Sequence, residues 1–352
     1  MSNIQDVAKH AGVSIATVSR VLNDSAPVKD EVRKRVEAAI EALSYRPNPA
    51  ARSLRSNKSR IIGLLVSDIQ NPFFMGLIRG VEDEALKHEY SVILCNSNES
   101  PPRERQYLDV LYMERVAGVI VVPTSENLGE ETLRRFRERG VPIIAVDRRV
   151  RDPSIDAVLS DSIRGAREAV GHLIANGYRR IGIITGPESV TTGRERLESY
   201  RQTLISAGIP TNRELERIGN FTIESGYMLT EQLLDLAPRP DALFIANNMM
   251  TLGALNAIHA RGLRIPEDVA IVSYDYTQWA VPGPVSLTSV MQPARELGST
   301  AALRLFQRLR NPEISSRQEI ILAPTLQIGE SSRPIEGSGA VAGVAGMKTK
   351  QT

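Results

Sequence analysis

The chain has 352 residues, 42% hydrophobic and 24% charged, with a formal net charge of +2. This predicts an ordinary soluble globular protein of two or three domains, since the length exceeds what one small core holds. It contains no apolar run near the roughly 18 residues that span a bilayer and no secretion-signal pattern, so a cytoplasmic protein without membrane contact is expected. The single cysteine, Cys95, excludes an internal disulfide framework; inside the apolar run SVILCNS it reads as a buried structural thiol.

Charge is unevenly spread. Residues 1–60 hold eleven Lys and Arg against six acids, a net +5 that leaves −3 on residues 61–352. A basic head on a mildly acidic body suits a polyanion partner, although a solvated helical face would give the same count. The segment IQDVAKHAGVSIATVSRVLN resolves into two short helices. Ile4, Val7, Ala8 and Ala11 recur at helical spacing, and Gly12 is placed to end that helix because glycine accepts the left-handed conformation. Ser14 can cap a second helix, Ile15 to Leu22, with Val18, Val21 and Leu22 inward and Ile15, Ala16, Ser19 and Arg20 toward the other side. Two helices joined by a tight glycine turn match the motif whose second helix enters the DNA major groove, and also a generic helical bundle. A third helix, DEVRKRVEAAIEAL, puts Val32, Val36, Ala39, Ile40 and Leu43 on one face.

Next comes RPNPAARSLRSNKSR, Arg46 to Arg60. Asn48 can cap and Pro49 suits a first helical position, yet about eight residues cannot sustain a helix alone in water. The stretch is expected to order only on a partner, with Leu54 the one apolar side chain among its charges.

From Arg60 onward, β-branched runs alternate with amphipathic segments. IIGLLVS, SVILCNS, GVIVVP, PIIAVD, RIGIITG, DALFIAN and VAIVSYD read as strands. Segments 72–88, 101–115, 164–176, 193–207, 222–236 and 248–261 read as helices. The alternation predicts parallel sheets covered by helices, two sheets by length, with ligands beyond the carboxyl ends of the strands. No phosphate-loop, nucleophile-elbow, zinc-protease or paired-cysteine motif is present. His10, His88, His172 and His259 lie far apart, so neither catalysis, a metal site nor a cofactor is expected.

The head, the segment YRPNPAARSLR, then IGLLVSDIQNPFF, RVAGVIVVP, NGYRRIGIITGP and GALNAIHARGLRIPEDVAIVSYD together resemble the LacI/GalR family of bacterial transcription regulators, in order and to about Arg333. The resemblance implies a small all-α helix-turn-helix head, 1–45, a hinge at 46–60, and an α/β two-lobed body like a periplasmic binding protein. The lobes would be 61–161 plus 292–322 and 162–291 plus 323–333, ahead of a disordered tail, 334–352. It implies a homodimer on a palindromic double-stranded DNA operator, controlled by a small polar effector, most simply a sugar, between the lobes. Ser14, Ile15, Ala16, Thr17, Ser19, Arg20 and Asn23 would contact DNA. Arg52, Leu54 and Arg55 would sit in the minor groove, with Leu54 a wedge between base steps. Phe73, Phe74, Arg196, Phe221, Asn247 and Asp275 would hold the effector, Arg196 and Asp275 facing each other across the cleft and the aromatic rings stacking on it.

Four positions depart from the family pattern. Asn247-Asn248 replaces a common Asn-Asp, and Ser273, Tyr274, Asp275, Tyr276 replaces a Gly-aromatic-Asp-Asp run. Val190 stands where a purine-sensing relative has arginine, and Lys29 takes the usual cap position of the third head helix, leaving Asp30 as a substitute. Two other readings stay open: a sugar-binding transport protein, which would lack the head, and a regulator steered by a protein partner.

Overall fold

The computed structural model describes residues 3–23, 27–45, 59–275, 286–313 and 316–334, and the chain divides into two compact units, Met1–Ser59 and Arg60–Thr352. The expected hinge residues Arg52, Leu54 and Arg55, the tail from 335, and Tyr276 lie outside the described residues.

In the head, α1 (Ile4–Ala11), α2 (Ile15–Asn23) and α3 (Asp30–Ala42) enclose Val7, Val18 and Val36, all fully buried. Helix α1 starts on a capping box: the Asn3 side chain accepts from the Gln5 and Asp6 amides at 2.8 and 3.1 Å, and Asp6 accepts from the Asn3 amide at 2.9 Å. It ends at Gly12, whose φ of 63° is left-handed, so the chain turns without Cβ strain. Ser14 Oγ then accepts from the Thr17 amide at 3.1 Å, starting α2 as its sequence suggests. Two details differ from expectation. Helix α2 extends one residue further, to Asn23, and Asp30 does not act as a cap. Lys29 holds the cap position of α3 with no side-chain bond, and Asp30 is the first helical residue, where its charge can only complement the helix dipole.

The body holds two six-stranded sheets. Strands β1 (Ile61–Val66), β2 (Ser91–Asn96), β3 (Gly118–Val121), β4 (Ile143–Val146), β5 (Asp156–Ser160) and β11 (Glu319–Leu322) form the first, in the order β11-β5-β4-β3-β1-β2, all parallel. Strands β6 (Ile181–Thr185), β7 (Glu216–Ile218), β8 (Ala242–Ile245), β9 (Ala270–Tyr274), β10 (Thr288–Met291) and β12 (Thr325–Gln327) form the second, in the order β12-β10-β9-β8-β6-β7. Its edge strand β12 alone runs antiparallel to its neighbour. The central strands are buried on both faces, which is why they read as unbroken apolar runs.

Helices α4 (Pro72–Lys87), α5 (Pro101–Met113), α6 (Glu130–Glu138) and α11 (Ala294–Arg310) belong to the first lobe; α7 (Ser162–Ala175), α8 (Thr191–Ser206), α9 (Ile223–Leu234) and α10 (Asn248–Ala260) belong to the second. The chain passes between sheets after β5, after β10 and after β11. Among the described residues no helix is long and apolar enough to cross a membrane. Helix α11, which returns from the second sheet, is fixed to the first by a buried ion cluster. The Asp156 carboxylate accepts from Arg304 Nε at 2.6 Å, Arg308 Nε and Nη2 at 2.7 Å each, and the Gln318 amide at 2.7 Å. Burial alone would raise the Asp156 pKa, but the Arg308 and Arg304 hydrogen bonds outweigh it and hold the group ionised below its ordinary range.

Helices α4 and α11 touch backbone to backbone at Gly80 and Gly298, as α9 and α10 do at Gly226 and Gly253. A methyl group at Gly80 would overlap the Arg295 carbonyl, which cannot swing away. Gly80→Ala should therefore lower stability by about 1–3 kcal/mol. Gly171, in α7, has open space beside it, so Gly171→Ala should raise stability by up to about 1 kcal/mol. Thermal melts of the two variants check the contrast.

Candidate functional site

A crevice lies where the carboxyl ends of both sheets face each other. Its enclosed space is only about 30 Å³, so the crevice is nearly closed. Phe73 and Phe74 follow β1, Asp147 and Arg148 follow β4, Arg196 lies on the helix after β6, Phe221 follows β7, Asn247 follows β8 and Asp275 follows β9. All six residues expected from the sequence to hold an effector thus line one space. Asn71, Glu99, Asp147, Arg148, Thr192, Asn248 and Gln292 line it too, and the sequence reading assigned none of them there. Their one available signal was position: each lies just beyond a strand or at the start of the helix that follows one.

Four lining residues have left-handed backbone: Glu99 (φ 53°), Asp147 (φ 68°), Phe221 (φ 65°) and Asp275 (φ 59°). None is glycine, and such strain persists only where the surroundings over-determine it, typically at ligand clamps. The Phe221 ring presses on Gly186, where any side chain would overlap it. Across the crevice, Phe73 and Phe74 meet edge to face, ring centres 5.0 Å apart. Both also belong to the core of the first lobe, so each offers the crevice only part of its ring.

The polar groups correct one expectation. Arg196 and Asp275 do not face each other across the cleft, since both belong to the second lobe. The charged groups opposite them are Asp147 and Arg148. Arg196 is fixed from two sides, donating from Nη1 to the Ala246 carbonyl at 2.7 Å and stacking on Tyr274 at 3.6 Å. Arg148 is held by a two-pronged pair with Glu99, at 2.6 and 2.7 Å, and donates to the Pro123 carbonyl. Asn247 uses its side-chain oxygen to cap α10, accepting from the Met250 amide at 3.0 Å, which leaves only its NH2 for a ligand. Val190 is buried in the second lobe's core and brings no charge.

Asp275 accepts from the Gln292 amide at 2.9 Å and from the Gln292 side chain. Burial pushes its pKa up to about 6, against the pull of Arg196 and the Gln292 hydrogen bonds. Burial also raises Asp147, whose Oδ1 has no partner among the described residues. Buried Nε atoms of Arg148 and Arg196 and Oε1 of Gln292 are likewise unsatisfied. Donors and acceptors thus lie side by side in the crevice. Among the described residues no group of His, Cys, Asp or Glu could hold a metal.

On the head, α2 exposes Ile15, Ala16 and Arg20, while Ser14 and Thr17 bond to one another at 2.9 Å. The N-terminal turn of α2 therefore presents an apolar surface followed by one guanidinium. The side chain of Asn23 lies outside the described residues.

Residues 59–327 match the family model described as periplasmic binding proteins and sugar binding domain of LacI family, and residues 3–48 match that of bacterial regulatory proteins, lacI family. The HTH-type transcriptional repressor PurR of Mannheimia succiniciproducens is 34% identical, covering 95% of this chain and 100% of that protein. The ribose operon repressor of Escherichia coli K12 is 35% identical, covering 93% and 98%. Among solved structures, the Lac repressor dimer bound to operator and the anti-inducer ONPF gives a TM-score of 0.82 at 29% identity, over 94% of this chain and 99% of that one. A LacI family transcriptional regulator from Enterococcus faecium with bound ribose gives 0.70 at 30% identity, over 78% and 100%.

The raised Asp275 pKa has a defined sign. A carboxyl whose pKa rises from 3.8 to about 6 on folding contributes stability below pH 3.8 that is lost as pH climbs through 6. Asp275→Asn should therefore melt a few degrees above the parent at pH 7.5, and the gap should close toward pH 4. A melting series across that range checks it.

Proposed function

The chain belongs to the LacI family of bacterial regulatory proteins and is a transcriptional regulator, not an enzyme; from that premise we propose that it is a dimeric repressor whose grip on a palindromic operator is set by a neutral monosaccharide, a pentose such as ribose. The observation that carries the effector reading is the charge balance of the crevice. Three carboxyl groups, Glu99, Asp147 and Asp275, line it against two guanidiniums: Arg148, which pairs with Glu99 and lies 3.6 Å from Asp147, and Arg196. That surplus of carboxylate repels a phosphate ester and accepts hydrogen bonds from hydroxyls. Phe73, Phe74 and Phe221 supply apolar faces for the C–H side of a sugar ring, and a crevice this narrow would have to open to admit one. The relative named for the ribose operon and the neighbour with bound ribose point to the same ligand class. Asp275 and Gln292 Oε1 would accept from hydroxyls, while Arg196 and Asn247 would supply donors.

The effector acts on DNA through lobe geometry. Closing the crevice changes the spacing at which two bodies deliver their heads, and two heads are required to read half-sites about one helical turn apart. DNA affinity should fall steeply with salt as counterions are released.

Two measurements test this. Ribose should raise the melting temperature in step with the logarithm of its concentration over its dissociation constant, whereas ribose 5-phosphate and maltose should not. A shift with the phosphate alone, or only with a protein partner, would overturn the effector reading. For the head, Ile15 and Ala16 should set operator preference by contact with thymine methyl groups, and Arg20 by a forked contact with guanine. Exchanging Ile15 and Ala16 for polar residues should change the motif selected from a random duplex pool; an unchanged motif would remove them from base reading.

A further inference from the structure

Two asparagines from opposite lobes meet inside the crevice. Asn71, just ahead of α4, belongs to the first lobe; Asn248, the first residue of α10, belongs to the second. Each is 6% exposed. Asn248 Nδ2 donates to Asn71 Oδ1 at 2.7 Å.

The direction of that bond is not interchangeable. Asn71 Oδ1 also accepts from the Phe73 amide at 3.0 Å, because Asn71 is the cap of α4. A backbone N–H there requires oxygen, not NH2, on that side of Asn71. Asn248 is oriented in the same way, its Oδ1 accepting from the Met249 amide at 2.8 Å. Two backbone donors therefore fix both amides, and the only arrangement left places a donor of the second lobe on an acceptor of the first. A carboxylate at 248 would set acceptor against acceptor where water hardly reaches.

The bond also ends at a consequential place. Asn71 starts the helix whose first turn carries Phe73 and Phe74. That helix packs backbone to backbone on α11, the element that returns from the second sheet. Other links between the lobes are two ion pairs, one neutral hydrogen bond and the Arg148 guanidinium over the Phe221 ring, 5.1 Å from its centre. Arg194 pairs with Glu126 at 2.7 Å, Arg149 pairs with Glu195, and the Arg149 amide donates to Thr191 Oγ1 at 3.1 Å. Salt screens exposed ion pairs but leaves a buried amide pair untouched.

We propose that the Asn248–Asn71 hydrogen bond is the closure latch of the crevice, with Asn248 a positioning residue that sets how far apart the lobes stand. Asn248 thereby fixes where Phe73 and Phe74 meet an effector; this second part rests on the effector reading above, while the latch itself does not.

The test places spin labels on cysteines introduced at the exposed positions Glu130 of the first lobe and Gln202 of the second; native Cys95 is buried and stays unlabelled. Pulsed dipolar spectroscopy of the full chain then reads the distance between lobes. Diluted with unlabelled chain so that the pairs read lie within one protomer, the parent should give one narrow distance. Asn248→Asp should add a longer population in buffer alone and weaken ribose binding roughly tenfold. Both effects should persist between low and high salt, whereas the effect of Glu126→Gln should vanish at high salt. Asn71→Ser keeps a capping oxygen and adds a hydroxyl donor, so combined with Asn248→Asp it should recover part of the short distance. Asn248→Ala, which removes the donor without adding charge, serves if the aspartate variant does not fold and should also lengthen the distance. If the folded variants keep the parent's single distance, the latch is refuted. Should ribose fail to bind the parent, the effector reading falls, and the distances in buffer still decide the latch.

Discussion

Parallel strands of one sheet must all end at the same edge, and the rest of this body follows from that constraint. Each strand of the first sheet, and all but β12 of the second, releases its chain toward one shared space. Residues as distant in sequence as Phe73 and Gln292 therefore line the same crevice. The loops there carry left-handed residues because a short connection has to turn abruptly from strand to helix. That strain is borne by the sheets beneath, whose central strands are fully buried.

Charge inside the crevice is organised by the same arrangement. Arg148 and Arg196 would be costly to bury alone, and each is held by a partner that also sets its direction: Glu99 for the first, the Ala246 carbonyl and the Tyr274 face for the second. Burial makes both crevice carboxyl groups, Asp147 and Asp275, less acidic than usual, although Arg148 lies 3.6 Å from the first and Gln292 donates to the second.

Rigidity within each lobe allows motion between them. Glycines bring α4 onto α11 and α9 onto α10 at backbone distance, and the Asp156 cluster ties α11 to its sheet. Lobes built this way move as bodies, so a few contacts between them can govern the opening. Ion pairs at the rim are open to screening by salt, whereas the buried Asn71–Asn248 pair is not.

The sequence by itself determined the local backbone. Gly12, Ser14 and Pro72 mark helix ends where the structure has them, and the apolar runs of β1, β2, β3, β4, β6, β8 and β9 read as strands. The six expected crevice residues were legible because each stands close behind such a run and the family resemblance singled them out. Strands β7, β11 and β12 are short or half-exposed and leave weak alternation, whereas β5, β10, α6 and α11 carry a readable buried pattern and yet were not assigned. The Asn3–Asp6 capping box was missed although its signal is local. Tertiary structure alone decided that Glu99 belongs to Arg148 and that Asn71 meets Asn248. Local preference acts over a few residues of chain, whereas these meetings depend on where two separately folded sheets bring their ends together.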